Sequence, residues 1–187
     1  MHPDRLLPIE PSARAIARRL FDAVKDLPII SPHGHTDPSW FAQNLPFPDP
    51  AALFIQPDHY VYRMLYSQGI RLEQLGIQSI DGGDVETDSR QIWKLFAKHY
   101  YLFRGTPSRM WLDWVFANVF ELTDRLSNDT ADDYYDQIAA KLAKPEFRPR
   151  ALFERFNIEC LATTESPLDS LDHHKALQRD SWPGRVI

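Results

Sequence analysis

The chain has 187 residues, 43% of them hydrophobic and 25% charged, the profile of a globular protein with a core of its own. Acidic residues outnumber basic ones, 26 against 21, for a net charge of −5, so no basic field invites nucleic acid or an anionic membrane surface, and the expected partner is a small molecule. Cys160 is the sole cysteine, which excludes an internal disulfide and a multi-thiolate zinc site, and with no signal-peptide core or run of roughly 18 to 20 apolar residues the expected location is the cytoplasm.

Ser12 is placed to cap a helix whose apolar positions Ala13, Ile16, Ala17, Leu20, Phe21 and Val24 recur at helical spacing, with Pro28 just beyond its end. Such a helix has one face to bury. The short β-branched run Leu27 to Ile30 reads as a buried strand opening through Ser31-Pro32 onto a loop that carries His33 and His35. Four prolines between Asn44 and Asp58 make that stretch an ordered loop or lid, with room for one helical turn at Ala51 to Ile55.

Asp58 is a cap for a helix through Ser67, closed by Gly69. After a turn-rich acidic break, two aromatic helices are expected over Ser89 to Phe103 and Pro107 to Leu122, the second capped by Thr106. Their aromatic residues, including Trp93, Phe96, Tyr100, Trp111, Trp114, Phe116 and Phe120, are candidates for one cluster. Thr130 and Asp133 imitate a capping box ahead of a helix to Ala143. A short helix near Arg150 to Phe156 then leads to the strand candidate IECLAT, to a helix from Ser166-Pro167 to about Arg179, and to the first residues of another strand at Arg185. Strand, helix and strand in that order imply parallel pairing and a right-handed crossover.

Only three strand candidates are found, whereas a (β/α)8 barrel needs eight strands and roughly 250 residues, and Arg185 to Ile187 begin a strand with nothing after it. On that reading the chain looks cut short.

In an extended segment alternate side chains share a side, so His33 and His35 point the same way, with Gly34 leaving room between them. Two imidazoles can share a cation, yet a catalytic zinc site takes three protein ligands and keeps an open position, so this pair is half a site. A polar turn explains the same residues without metal, while their place after a strand favours the active-site end of a parallel sheet. His59 has the bland reading of an exposed first-turn residue, and Tyr60 that of a core aromatic with a wet hydroxyl. No function falls to His99, His173 or His174. The carboxylates of DTADDYYD read as a solvated helix start, and TTESPLD as a capped strand-to-helix turn.

Three blocks, LPIISPHGHTDP, PDHYVYRMLYSQGI and LATTESPLDSLDHHKAL, in this order and at these separations, resemble the amino-terminal part of uronate isomerase, also called glucuronate isomerase, in the amidohydrolase superfamily. The likeness covers almost the whole chain, and the second and third blocks are its specific part. It implies an α/β fold, a partial distorted (β/α)8 TIM barrel with a large helical insertion between strands 1 and 2. Residues 1–35 would hold the first helix and barrel strand, 36–150 the helical insertion, and 151–187 the second strand, a helix and the start of the third.

The same resemblance implies that His33 and His35 bind a divalent metal, usually zinc, and that His59 and Tyr60 bind the hexuronate or move its proton. Members interconvert D-glucuronate with D-fructuronate and D-galacturonate with D-tagaturonate, a step of hexuronate catabolism. The remaining metal ligand, an aspartate, and the arginines that hold the substrate carboxylate are implied to lie beyond Ile187, although Arg63 stands one turn after Tyr60. Many members have aspartate, cysteine and leucine at Ser31, Gly34 and Thr36, and two aspartates at Glu165 and Ser166, which implies a divergent branch. The 187-residue chain by itself is expected to be inactive, and to associate with the missing part or with copies of itself. Two rival readings are a metal-dependent hydrolase of the same superfamily and a non-catalytic remnant built on the aromatic helices.

Overall fold

A computed structural model describes residues 2–187 and divides them into two compact units, one of residues 2–45 with 149–187, the other of residues 46–148. The first unit contains helix α1 (Pro11–Val24), strand β1 (Ile29–Ser31), helix α2 (Pro38–Gln43) and four further elements. The second contains α3 (Pro50–Phe54), α4 (His59–Tyr66), α5 (Ser89–Lys98), α6 (Pro107–Asn118) and α7 (Ala131–Leu142). The chain then re-enters the first unit with α8 (Pro149–Arg155), β2 (Ile158–Leu161), α9 (Asp172–Arg179) and β3 (Arg185–Val186). The fold is mixed α/β and rich in helix, with a sheet of three parallel strands in the order β1-β2-β3. Among the described residues no helix is long and apolar enough to cross a membrane.

In the first unit, Ile29, Ile30 and Ser31 pair with Ile158, Cys160 and Leu161, with one irregularity between Ile29 and Ile30. Cys160 and Leu161 pair in turn with Arg185 and Val186. One face of β2 is covered by Phe41, Phe153 and Leu177, with Trp182 and Val186 packed against them. Phe41 lies almost parallel to Trp182 at 5.9 Å between ring centres. Arg150 pins this layer: its Nε donates to the Phe41 carbonyl at 2.8 Å and its Nη2 meets Asp180 at 2.8 Å, while its guanidinium lies 4.9 Å from the Trp182 ring centre. It thereby satisfies a carbonyl that the short helix α2 leaves without an intrahelical partner.

The first unit departs from expectation in three places. Helix α1 is capped by Glu10, whose carboxylate accepts from the Ser12 and Ala13 amides; Ser12 donates its hydroxyl to Glu10 instead of capping. Its apolar stripe is not buried: Ile16, Leu20, Phe21 and Val24 are 51% to 64% exposed. Strand β1 is likewise open, with Ile29 at 49% and Ile30 at 64% exposure, because among the described residues β1 has a strand neighbour on one side only. Helix α9 starts at Asp172, not Ser166. The Ser166 amide donates to Asp169 and its hydroxyl accepts from Leu168, closing a separate turn before Leu171 enters the left-handed region at φ 56°.

The second unit is built on rings. Phe54 lies 5.5 Å from Phe116 and 5.7 Å from Phe120, and Trp93 packs on Phe96 at 5.4 Å. Trp93 also donates its indole N–H to the Ala131 carbonyl at 2.9 Å, so the cluster fixes α5 against α7 as well as filling volume. Trp111 meets the cluster at its edge, 6.4 Å from Phe54, and Trp111 and Trp114 are both about half exposed. The carboxylates of α7 are not simply solvated: Asp132 pairs with Arg90 at 3.1 Å and with Lys94 at 2.9 Å, and Asp136 pairs with Arg90.

Helix α5 ends at Lys98 and continues as a 3-10 turn over Tyr100–Phe103. The His99 imidazole meets the Leu95 carbonyl at 2.8 Å, and the His99 amide turns to Phe96 instead. That exchange tightens the last turn. Helix α6 stops at Asn118, and Glu121 takes a positive φ of 53° before Leu122. Thr130 does not cap α7: its hydroxyl donates to the Arg125 carbonyl and accepts from the Ser127 amide, ordering the loop ahead of the helix.

Two phenols in this unit tie its stability to pH. Burial first, then the Asp113 carboxylate that accepts its proton at 2.9 Å, hold the Tyr100 phenol well above its ordinary range. Burial pushes Tyr134 up to about 12, with the charge of Asp113 as the next cause. Because the folded values are raised, this stabilisation is complete below the unfolded phenol value near 10 and is lost as pH climbs through the folded values. Phenolate absorbance followed with circular dichroism is expected to show late ionisation coinciding with loss of helix above about pH 12, a loss that Tyr134→Phe diminishes. Complete phenol ionisation by about pH 11 with the helices intact would contradict it.

Candidate functional site

Parallel pairing carries the ends of β1 and β2 out on the same side of the sheet, and the loops that follow are tied together. The Ala162 amide donates to the Ser31 carbonyl at 2.8 Å, extending the ladder by one step. The Thr164 hydroxyl then donates to the Gly34 carbonyl at 2.7 Å, and the same oxygen stands 3.4 Å from His33 Nδ1. A hydroxyl has a single proton. The short contact with Gly34 takes it, so the longer contact runs from an Nδ1–H of His33 to Thr164 Oγ1. That leaves His33 Nε2 with its lone pair, the arrangement in which a histidine serves as a metal ligand.

His33 and His35 come together, with ring centres 5.1 Å apart and planes at 85°. Two imidazoles held tetrahedrally through nitrogen at about 2.0–2.1 Å have ring centres about 5 Å apart, and the spacing of this pair is of that size. A Cβ at Gly34 would stand 3.4 Å from the Ala162 carbonyl, ordinary contact, so the backbone does not itself demand glycine between the two histidines. Among the described residues no group of three or more His, Cys, Asp or Glu side chains is arranged to hold a metal ion.

A recess of about 440 Å³ opens beside the pair, lined among others by His35, Asp37, Glu165, Asp172 and His174. His174 Nε2 lies 2.9 Å from Thr163 Oγ1 and 3.8 Å from Glu165 Oε1, while its Nδ1 is buried without a hydrogen-bond partner among the described residues. Sequence reasoning gave His174 no role. The available signal was its place on the short amphipathic helix α9, which follows the Thr-Thr-Glu segment after one turn.

His59 and Tyr60 belong to the second unit, at the first turn of α4. Asp58 caps that helix, accepting from the Tyr60 amide at 2.8 Å and the Val61 amide at 3.3 Å. The cap fixes where the two rings start, and they lie 4.2 Å apart between centres with a 32° tilt. Tyr60 is 69% exposed and takes no part in the core, against its bland reading.

Residues 12–187 match the sequence family described as glucuronate isomerase. The chain belongs to the glucuronate isomerase family. It is 62% identical over its full length to a uronate isomerase of Rhizorhabdus wittichii, of which it covers 39%. It superposes with a TM-score of 0.94 on the crystal structure of glucuronate isomerase from Caulobacter crescentus, at 58% identity, covering all of this chain and 39% of that one. A uronate isomerase from Thermotoga maritima matches with a TM-score of 0.81 at 28% identity, again over this whole chain and 38% of the other. The chain thus spans about two fifths of the length of these members of the glucuronate isomerase family.

The tie between Thr164 and His33 is open to a direct test. Long-range proton–nitrogen NMR is expected to find neutral His33 mainly as the Nδ1–H tautomer, and as a mixture in Thr164→Val. Loss of one exposed hydrogen bond should cost no more than about 1 kcal/mol of stability. An unchanged tautomer in the variant would show that Thr164 does not orient the ring.

Proposed function

We propose that the chain supplies one part of a hexuronate isomerase, acting on D-glucuronate or D-galacturonate to give the corresponding ketose. The observation that carries this reading is the family match over residues 12–187, with the close approach of His33 and His35 behind it. The fold we infer for the whole is a distorted (β/α)8 barrel. In it residues 1–35 contribute the first strand, 36–150 the helical insertion between strands 1 and 2, and 151–187 the second strand, a helix and the start of the third. A cytoplasmic setting is supported by the single, buried, free Cys160.

Aldose-to-ketose conversion moves a proton from C2 to C1 through an enediolate, so the site needs an acid, a base and positive charge near the developing oxyanion. His33 and His35 would hold a divalent cation, zinc on the family resemblance, which when bound would supply that charge and polarise the substrate oxygens. Tyr60 gives or receives the proton through its phenol, and His59, stacked beside it, orients the sugar. The substrate carboxylate calls for an arginine fork, which we assign to chain beyond this one.

We further propose that this chain acts together with the remaining part of the family's length. Support comes from the exposed stripe of α1 and the open strand β1, apolar surface of the kind a stable monomer does not leave bare. The occupant of that surface is the polypeptide that carries the further strands.

The purified 187-residue chain is expected to show no conversion of glucuronate to fructuronate. Mixed or co-expressed with the remaining segment of the Rhizorhabdus wittichii relative, it should turn substrate over. Tyr60→Phe should then lower kcat by about 10²-fold or more, the usual range for a proton-transfer group. Turnover by the chain alone would refute the division of the site, and a folded, complemented assembly without turnover would refute the isomerase reading.

A further inference from the structure

A second recess, of about 360 Å³, lies wholly within the helical unit, and Lys98, Arg104, Arg109 and Arg125 line it together with Tyr101 and Asn128. No aspartate or glutamate lines it, in a chain whose net charge is −5. Of the four cations only Arg109 has a carboxylate partner among the described residues, Asp113 at 2.8 Å.

That pairing fixes one of the lining residues. Arg109 Nε donates to Asp113, Nη1 donates to the Tyr100 carbonyl at 3.1 Å, and the guanidinium lies 3.8 Å from the centre of the Tyr100 ring. Asp113 is itself held by the Tyr100 hydroxyl at 2.9 Å. The guanidinium is therefore fixed before any ligand arrives, with Nε and Nη1 engaged and Nη2 left without a hydrogen-bond partner among the described residues. A preorganised fork loses little entropy on binding an anion.

We infer that this recess binds a small phosphate-bearing anion. Three cations without carboxylate partners around a fixed guanidinium outweigh a monocarboxylate and match the charge of a phosphate dianion, whose oxygens accept from arginine in pairs. Tyr101 and Asn128, also in the lining, carry neutral donors of the kind that suit the hydroxyl groups of a sugar ester. The volume lies at the lower end of the range for small-molecule sites. This inference stands apart from the hexuronate site, since it uses none of the residues assigned there.

Isothermal titration of the whole chain with inorganic phosphate, glucose 6-phosphate and glucuronate tests it. Saturable binding of phosphate or the phosphate ester is expected, weakening as salt is raised, with glucuronate bound at least about tenfold more weakly because it carries a single charge. The exposed pair R104Q/R125Q should lose about tenfold or more in affinity with its circular dichroism unchanged, and Lys98→Gln a smaller part of that. The H33A/H35A chain should bind phosphate as the parent does. Absence of saturable binding, equal affinity in a folded R104Q/R125Q chain, or glucuronate binding as tightly as phosphate would overturn the inference.

Discussion

The pairing of β1 with β2 is the constraint on which the rest of the candidate site depends. Two parallel strands send their following loops to the same end of the sheet, and here the loops are joined by one hydrogen bond, from Thr164 to the Gly34 carbonyl. That carbonyl belongs to the residue between the two histidines. Fixing it restrains the backbone on either side, and the weaker contact to His33 Nδ1 selects which nitrogen keeps a lone pair. A short sheet can position imidazoles in this way because Ala162 continues the ladder past the last strand residue.

The two units contain different kinds of order. The helical unit satisfies its own needs: aromatic rings fill its centre, Trp93 and Tyr134 find backbone carbonyls for their polar tips, and ion pairs hold α5 to α7. The sheet unit has a well-packed layer around Phe41, Phe153 and Trp182 on one side, where Arg150 closes the edge. Its other apolar surfaces, on α1 and β1, remain open. That difference is the physical basis for assigning the open surfaces to further polypeptide of the family.

Much of this was legible in the sequence where the signal was local. Asp58 before His59 and Thr106 before Pro107 announced their helices, and both cap as their residue types predict. The apolar segment IECLAT read as a strand, and the structure supplies its register. What failed to show was competition among side chains for the same groups. Glu10 outbids Ser12 for the first amides of α1. Thr130 spends its hydroxyl on Arg125 and Ser127, and the His99 ring meets the carbonyl its own amide would have used. In the candidate site the two histidines and the His-Tyr pair were visible as motifs, but the tie through Thr164 joins residues far apart in sequence and has no periodic signature.

The central claim is that His33 and His35 together hold one cation. Zinc titration of the chain measured by calorimetry, alongside His33→Ala and His35→Ala, tests it most directly. The account predicts a single site in which each substitution weakens zinc binding by about tenfold or more and the double substitution removes it. Zinc affinity unchanged by either substitution in a folded chain would contradict it.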